Sequence, residues 1–190
     1  MTKFTERFAT ETGREVNSVL AGLRISENLG SDLLPVLDLA IGMTGANMGT
    51  LQRFDERADY LELVASRGLS KNALSFFRIV RRDTNTSCAA ALTRRMRVFV
   101  GDISTSYLFV GTRELAMLRA GGIAAVQSTP LISSNGRFWG VLSTHFRETQ
   151  RESEFDLAPL DRLAVQIADI LTQSNGSAPL GNTARLNKGD

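Results

Sequence analysis

One cysteine, one histidine and a knot of hydroxyls and amides hold most of the chemistry this 190-residue chain can offer. Cys88 follows Ser87 at a predicted helix start in SCAAALTRRM. A helix start lowers a thiol pKa and raises its reactivity. Its neighbours Ala89, Ala90 and Ala91 argue instead for an inert, buried thiol, the heavier of the two readings. His145 is the sole imidazole, able in principle to ligate haem or to titrate near neutral pH. No second histidine or carboxylate pair stands near it, so an exposed or hydrogen-bonded role is favoured. A single cysteine closes no intramolecular disulfide and builds no thiolate cluster. No spaced His/Cys/Asp/Glu set predicts a metal, and no glycine-rich phosphate loop is present. The expectation is a chain without catalytic residues, metal or resident cofactor.

The polar knot lies in VQSTPLISSNGRFWGVLSTHF, Val126 to Phe146. Asn135-Gly136 is a strong hairpin signal, predicting a two-residue type I′ turn. That turn sets Val126 opposite His145, Ser128 opposite Ser143, Pro130 opposite Val141 and Ile132 opposite Trp139 on one face. Gln127 then meets Thr144, Thr129 meets Leu142, Leu131 meets Gly140 and Ser133 meets Phe138 on the other. Neither face is cleanly polar, so both should be covered. If helices cover one face and the segments around residues 70 to 120 arch over the other, then Ser128 and Ser143, or Gln127 and Thr144, lie beneath that arch. Buried hydroxyls need partners, and these either satisfy one another or wait for a ligand.

Arg78, Arg81, Arg82, Arg94, Arg95 and Arg97 crowd the same arching region, opposed by Asp83. Guanidinium forks suit phosphate and carboxylate, which fits an anionic, nucleotide-like ligand. A solvated basic face is the commoner explanation of such a run. Phe76, Phe77, Tyr107 and Phe109 are the aromatics there, suited to lining a cavity or to packing a core.

The elements that must position these groups follow from periodicity. Val16, Val19, Leu20 and Leu23 mark an amphipathic helix reaching about Leu29. Ser31 is a candidate cap for a second helix, with Pro35 near its start, Leu33, Leu37 and Ile41 on one face, and Gly45 and Asn47 at its end. MGTLQRFD and YLELVASRG read as paired strands. Ser70 to Val80 reads as a helix burying Leu74, Phe77 and Val80. Ser87 caps the next helix, RVFVGD is a strand, and Thr112 caps RELAMLRA before Gly121 and Gly122. A closing helix runs from about Leu157 to Gln173, with Leu160, Leu163, Ala164, Ile167 and Leu171 on one stripe. Pro159 fits its first turn if it starts near Asp156. The order predicts α+β with an antiparallel sheet. Residues 1–30 form an N-terminal amphipathic helix suited to dimerisation, 31–173 the main domain, and 174–190 a polar, disordered tail.

Composition is ordinary for a globular chain, 43% hydrophobic and 22% charged. A net charge of +2, with pI near 9.0, is too small and too evenly spread to predict nucleic-acid binding. The longest apolar stretch, LLPVLDLAIGM, is too short to span a bilayer and contains Asp38. The N-terminus lacks the apolar core of a signal peptide, so a cytoplasmic protein without membrane insertion is expected.

From about Leu33 to Leu171, LDLAIGMTGANMGTLQRFD, LVASRGL, SCAAAL, VFVGDI, AGGIAAVQSTPLISSNGRFWGVLSTHF and the closing helix stand in an order and spacing that resemble a GAF domain. The likeness is to GAF domains of bacterial sensory proteins, many fused to histidine kinases. The resemblance implies an antiparallel sheet of five or six strands, terminal helices on one face, and short helices and loops enclosing a small-molecule cavity on the other. It implies a homodimer through the terminal helices and a separate signalling output protein. On it, Phe77, Cys88, Tyr107, Phe109, Gln127, Ser128, Thr129, Ser143 and His145 are the expected ligand-binding residues. The covalent-bilin pattern of a histidine beside the cysteine is missing, and a sulfoxide reductase would need more cysteines. The remaining alternatives are a dimerisation scaffold without a ligand, and a thiol-dependent reductase using Cys88.

Overall fold

The computed structural model describes residues 13–155 and 157–176. The first three residues of the expected disordered tail, 174–176, instead extend α7, where Ser174 Oγ donates to Ile170 O, and the rest of that tail and the helix start at Asp156 lie outside the described residues. Helix α1 spans 13–22, followed by α2 (Leu29–Asp32), α3 (Leu34–Thr44), β1 (Met48–Asp55), β2 (Tyr60–Arg67), α4 (Lys71–Phe76) and β3 (Ile79–Arg81). Then come α5 (Ser87–Arg94), β4 (Val98–Val100), α6 (Arg113–Ala120), β5 (Ala125–Ile132), β6 (Phe138–Phe146), a 3-10 turn (Glu152–Glu154) and α7 (Ala158–Gly176). The strands form one antiparallel sheet in the order β3-β2-β1-β6-β5-β4. This is the α+β architecture that the element order predicts.

Helices α3 and α7 cover one face. Leu33, Val36, Leu37 and Ala40 pack with Leu160, Leu163, Ala164, Ile167 and Leu171 over Leu51, Leu131 and Leu142 of the sheet. Each Leu, Ile or Val side chain among them contributes about 1.5–3 kcal/mol by leaving water. On the other face, α4, α5, α6 and the segment between β4 and α6 form a lid around Phe77, Leu92, Ile103 and Phe109.

Local chemistry explains where the elements depart from expectation. Helix α1 stops at residue 22, near poorly helix-forming Gly22, and Leu23 turns inward. Ser31 caps nothing: it lies inside α2, whose cap is the Asn28 side chain. Pro35 does occupy the first turn of α3, and Gly45 ends it in the left-handed region. The helix expected over Ser70–Val80 lasts only through Phe76, because the β-branched Ile79 and Val80 pair with Glu62 and Leu61 as an edge strand. Thr86, not Ser87, caps α5, accepting from the Ala89 N–H at 3.1 Å.

The β5–β6 hairpin carries two compensating departures. Its turn is one residue longer than type I′: Gly136 alone takes positive φ, and the Ser133 N–H donates to Arg137 O at 2.9 Å. A bulge at Trp139 then restores the register, so Ser128 does face Ser143 and Val126 does face His145. Only the tip is altered. Phe138 pairs with Ile132 and joins the lid side, stacking edge-on against Phe54. Trp139 goes to the helix side, where its Nε1–H donates to Thr172 Oγ1 at 2.9 Å.

Candidate functional site

A cavity of about 30 Å³ separates sheet and lid. Its floor is Thr50 and Gln52 of β1, Val126 of β5, and Ser143 and His145 of β6. The pairings Thr50–Ser143 and Met48–His145 place these groups on adjacent strands with the same parity. The roof is Leu69, Ala73, Leu74 and Phe77 around α4, then Thr86, Ser87 and Cys88 at the start of α5, and Phe109 and Leu118. The volume suits about two waters; a metabolite would need the lid to yield.

Lid and floor are joined by a chain of hydroxyls. Ser128 Oγ donates to Ser87 Oγ at 2.9 Å and lies 2.8 Å from Ser143 Oγ. Because the Ser128 proton is used on Ser87, Ser143 is the donor of the second bond. Thr86 capping α5 is what leaves Ser87 free for this contact.

Two polar atoms stay outside any network. Gln52 is 2% exposed; its Nε2 donates to Phe77 O at 3.4 Å, while its Oε1 has no partner. His145 is 7% exposed, and its Nδ1 has no partner. Among the described residues these are the buried side-chain atoms without a hydrogen bond, and both side chains line the cavity. Such atoms are rare in folded proteins and call for a water or ligand. Burial pushes the His145 pKa down to about 4, against a weaker upward pull from the Met48 backbone, so the ring is neutral at physiological pH.

The surroundings of Cys88 do not lower its thiol pKa. Burial pushes its thiol up, hydrogen bonds that the Thr86 hydroxyl and nearby backbone N–H groups would give the thiolate offset this only partly, and as the neutral thiol its S–H donates to Thr86 Oγ1 at 3.3 Å. Among the described residues no group of His, Cys, Asp and Glu could hold a metal ion.

Of the residues expected from sequence, Phe77, Cys88, Phe109, Ser143 and His145 line the cavity, and Ser128 lies buried beneath it. Gln127 and Thr129 do not reach it. They point to the helix side, where the Gln127 Nε2–H donates to Thr129 Oγ1, and Thr144 Oγ1 donates to Gln127 Oε1 at 3.0 Å. The neighbouring Gly49 shows why that row is tight: a Cβ there would come within 2.8 Å of Leu37 Cδ1. Tyr107 is 81% exposed and accepts from Arg94 at 3.0 Å. The arginine run also stays outside the cavity. Arg82 pairs with Asp59 at 2.8 Å, Arg97 with Asp161 at 2.9 Å, and Arg95 stacks 3.6 Å over the Phe138 ring. Sequence reasoning missed Thr50 and Gln52. The signal was present: two polar residues at period two inside the otherwise apolar start of β1, MGTLQ.

No described helix is long and apolar enough to cross a membrane. The fold is shared with a domain assigned to a two-component sensor histidine kinase from Sinorhizobium meliloti, at 22% identity and TM-score 0.63, covering 80% of this chain and 96% of that one. It is shared with the GAF domain of a phosphoenolpyruvate-protein phosphotransferase from Acinetobacter, at 15% identity and TM-score 0.68, with 87% and 96% coverage. It is also shared with a free methionine-R-sulfoxide reductase from Neisseria meningitidis, solved with its substrate, at 16% identity and TM-score 0.64, with 86% and 91% coverage. No curated protein matches the chain. Residues 33–172 match the GAF domain family, a span running from the start of α3 through most of α7 and containing the whole sheet and lid. With that sheet, that lid and that match, the chain belongs to the GAF domain family.

Proposed function

We propose that this GAF domain is a non-catalytic sensory module that binds a small molecule between sheet and lid and passes occupancy to its terminal helices. The observation that carries the reading is the pair of unpartnered buried atoms, Gln52 Oε1 and His145 Nδ1, on one cavity. A core under no demand but stability would have closed them, as it closed Gln127.

The small resting volume supports a lid that yields on binding. Movement of α5 would strain the Ser87–Ser128 bond and so act on β5. β5 packs against α7 through its other face. The hairpin tip holds α7 at two further points, Trp139 to Thr172 and the Ser134 N–H to Asp169 Oδ1 at 2.7 Å. This route supports a signal leaving through α7. Val16, Val19 and Leu20 of α1 pack against the helix-side core, and Val165 of α7, 39% exposed, is the apolar side chain that supports a homodimer through the terminal helices and delivery to a separate output protein.

The Cys88 thiol, pushed up by burial and hydrogen-bonded to Thr86, is a poor candidate nucleophile, which favours the binding role over the enzymatic one. The test is a thermal melt of the full chain against a broad metabolite and nucleotide screen. A bound compound raises the melting temperature in proportion to ln(1 + [L]/Kd). A screen without any shift removes the sensory reading. It would favour a ligand-free dimerisation scaffold, detected by light scattering before and after deletion of residues 1–29.

A further inference from the structure

We infer that the molecule this cavity accepts is uncharged and offers an N–H or O–H donor to Gln52 Oε1, an inference that rests on the small-molecule reading above. The lining decides the charge. No Arg, Lys, Asp or Glu side chain borders the cavity. Of the six arginines that sequence placed near it, five are engaged elsewhere, Arg82 on Asp59, Arg97 on Asp161, Arg94 on the Tyr107 hydroxyl, Arg81 over the Tyr60 ring and Arg95 over Phe138, and Arg78 is exposed and does not border the cavity. His145 supplies no positive charge near neutral pH, because burial holds the ring neutral. An anion entering here would shed its hydration and meet no charged side chain, and the hydroxyls and the start of α5 replace a full countercharge only in part.

The hydrogen-bonding capacity then decides the functional groups. Gln52 Oε1 only accepts, and one N–H of its amide is committed to Phe77 O, so a ligand group that meets Oε1 must donate to it. A neutral imidazole carries one N–H and one lone pair, so His145 Nδ1 takes either a donor or an acceptor. The strand register fixes their separation. Gln52 lies opposite Val141, Thr50 opposite Ser143 and Met48 opposite His145. Four residues of strand place the Gln52 and His145 rows about 13 Å apart. The Thr50 and Ser143 hydroxyls lie between. The floor is therefore a polar track under a roof that is apolar at Leu69, Leu74, Phe77 and Phe109 and polar at Thr86 and Ser87. Flat amides, lactams and nucleosides match that combination; carboxylates and phosphates do not.

The test uses matched pairs that differ in charge and little else: nicotinamide against nicotinate, benzamide against benzoate, and adenosine against adenosine 5′-monophosphate. Each is added to the full chain at pH 7.5 and followed by thermal melt, and any binder is then titrated calorimetrically. The expected result is a raised melting temperature for at least one neutral member, none for its anionic partner, and affinity weakened about tenfold in Gln52→Met. His145→Phe, at the other end of the track, is the second variant should Gln52→Met fold poorly. An anion that binds better than its neutral partner overturns the inference while leaving the sensory reading intact. Neutral binding undiminished in both variants overturns it as well. If no member of any pair shifts the melt, the inference fails, and the sensory reading is judged by the broader screen alone.

Discussion

The two faces of the β5–β6 hairpin bury the same kinds of residue and treat them differently. Toward the helices, Gln127, Thr129 and Thr144 close on one another. Toward the lid, Ser128 and Ser143 close on Ser87, but Gln52 Oε1 and His145 Nδ1 remain open on a cavity. The strands, register and turn are common to both faces, so neither local propensity nor topology makes the difference. What covers each face does. Two helices, α3 and α7, pack on one side, whereas short helices and loops roof the other, where the cavity lies. A buried polar residue is a structural device on the first face and an invitation on the second.

The largest expected effect tests the packed face. Leu163 is fully buried in α7, and Leu163→Ala should cost about 2–5 kcal/mol in chemical denaturation. A loss well below 1 kcal/mol would mean that the helix layer is as yielding as the lid, and the contrast would go.

Next comes pH, which singles out the lid face. His145 titrates at about 4 in the folded chain against 6.5 when unfolded. Above pH 6.5 both states hold the ring neutral and its contribution is fully present. As pH falls through the window from 6.5 to 4, the unfolded chain takes up the proton first, and stability drops by about 3 kcal/mol before levelling. His145→Phe should flatten that slope. The difference between the two melts isolates the imidazole from carboxylates such as Asp59, which titrate lower. Identical pH profiles would show that the ring is solvated.

The third effect pits one glutamine against the other. Gln127→Leu strips partners from Thr129 and Thr144 in a sealed site and should cost about 1–3 kcal/mol. Gln52→Met gives up a 3.4 Å bond but also removes an unsatisfied acceptor, so in ligand-free protein its net change should stay within about 1 kcal/mol of zero. Equal costs for the two would erase the distinction between closed and open faces.

How much of this was legible beforehand depends on the kind of signal each residue carries. β1 and β2 were readable to their ends, because apolar runs flank a polar turn that Asp55 stabilises by accepting from the Arg57 and Ala58 N–H groups. The Ser128–Ser143 pairing was readable from Asn135-Gly136, although the longer turn and the Trp139 bulge cancel without either being visible in the sequence. The same bulge hid the exchange of Phe138 and Trp139. Parity divides Gln127 from Ser128 but does not say which face the lid covers; that depends on where α3 and α7 dock, a long-range fact. The arginines looked like a binding feature because their partners, Asp59, Asp161 and the Phe138 ring, are distant in sequence or in another element. Gln52 went unnoticed because a lone glutamine in a strand gains meaning only when the carbonyl of Phe77 and an empty space stand over it.

The most direct measurement follows the side-chain amides of Gln52 and Gln127 together by two-dimensional ¹H–¹⁵N NMR while nicotinamide, benzamide and adenosine are titrated into the full chain. The account predicts that the Gln52 resonances move and saturate with at least one of them while those of Gln127 hold still. Equal movement of both, or movement of Gln127 alone, would contradict it.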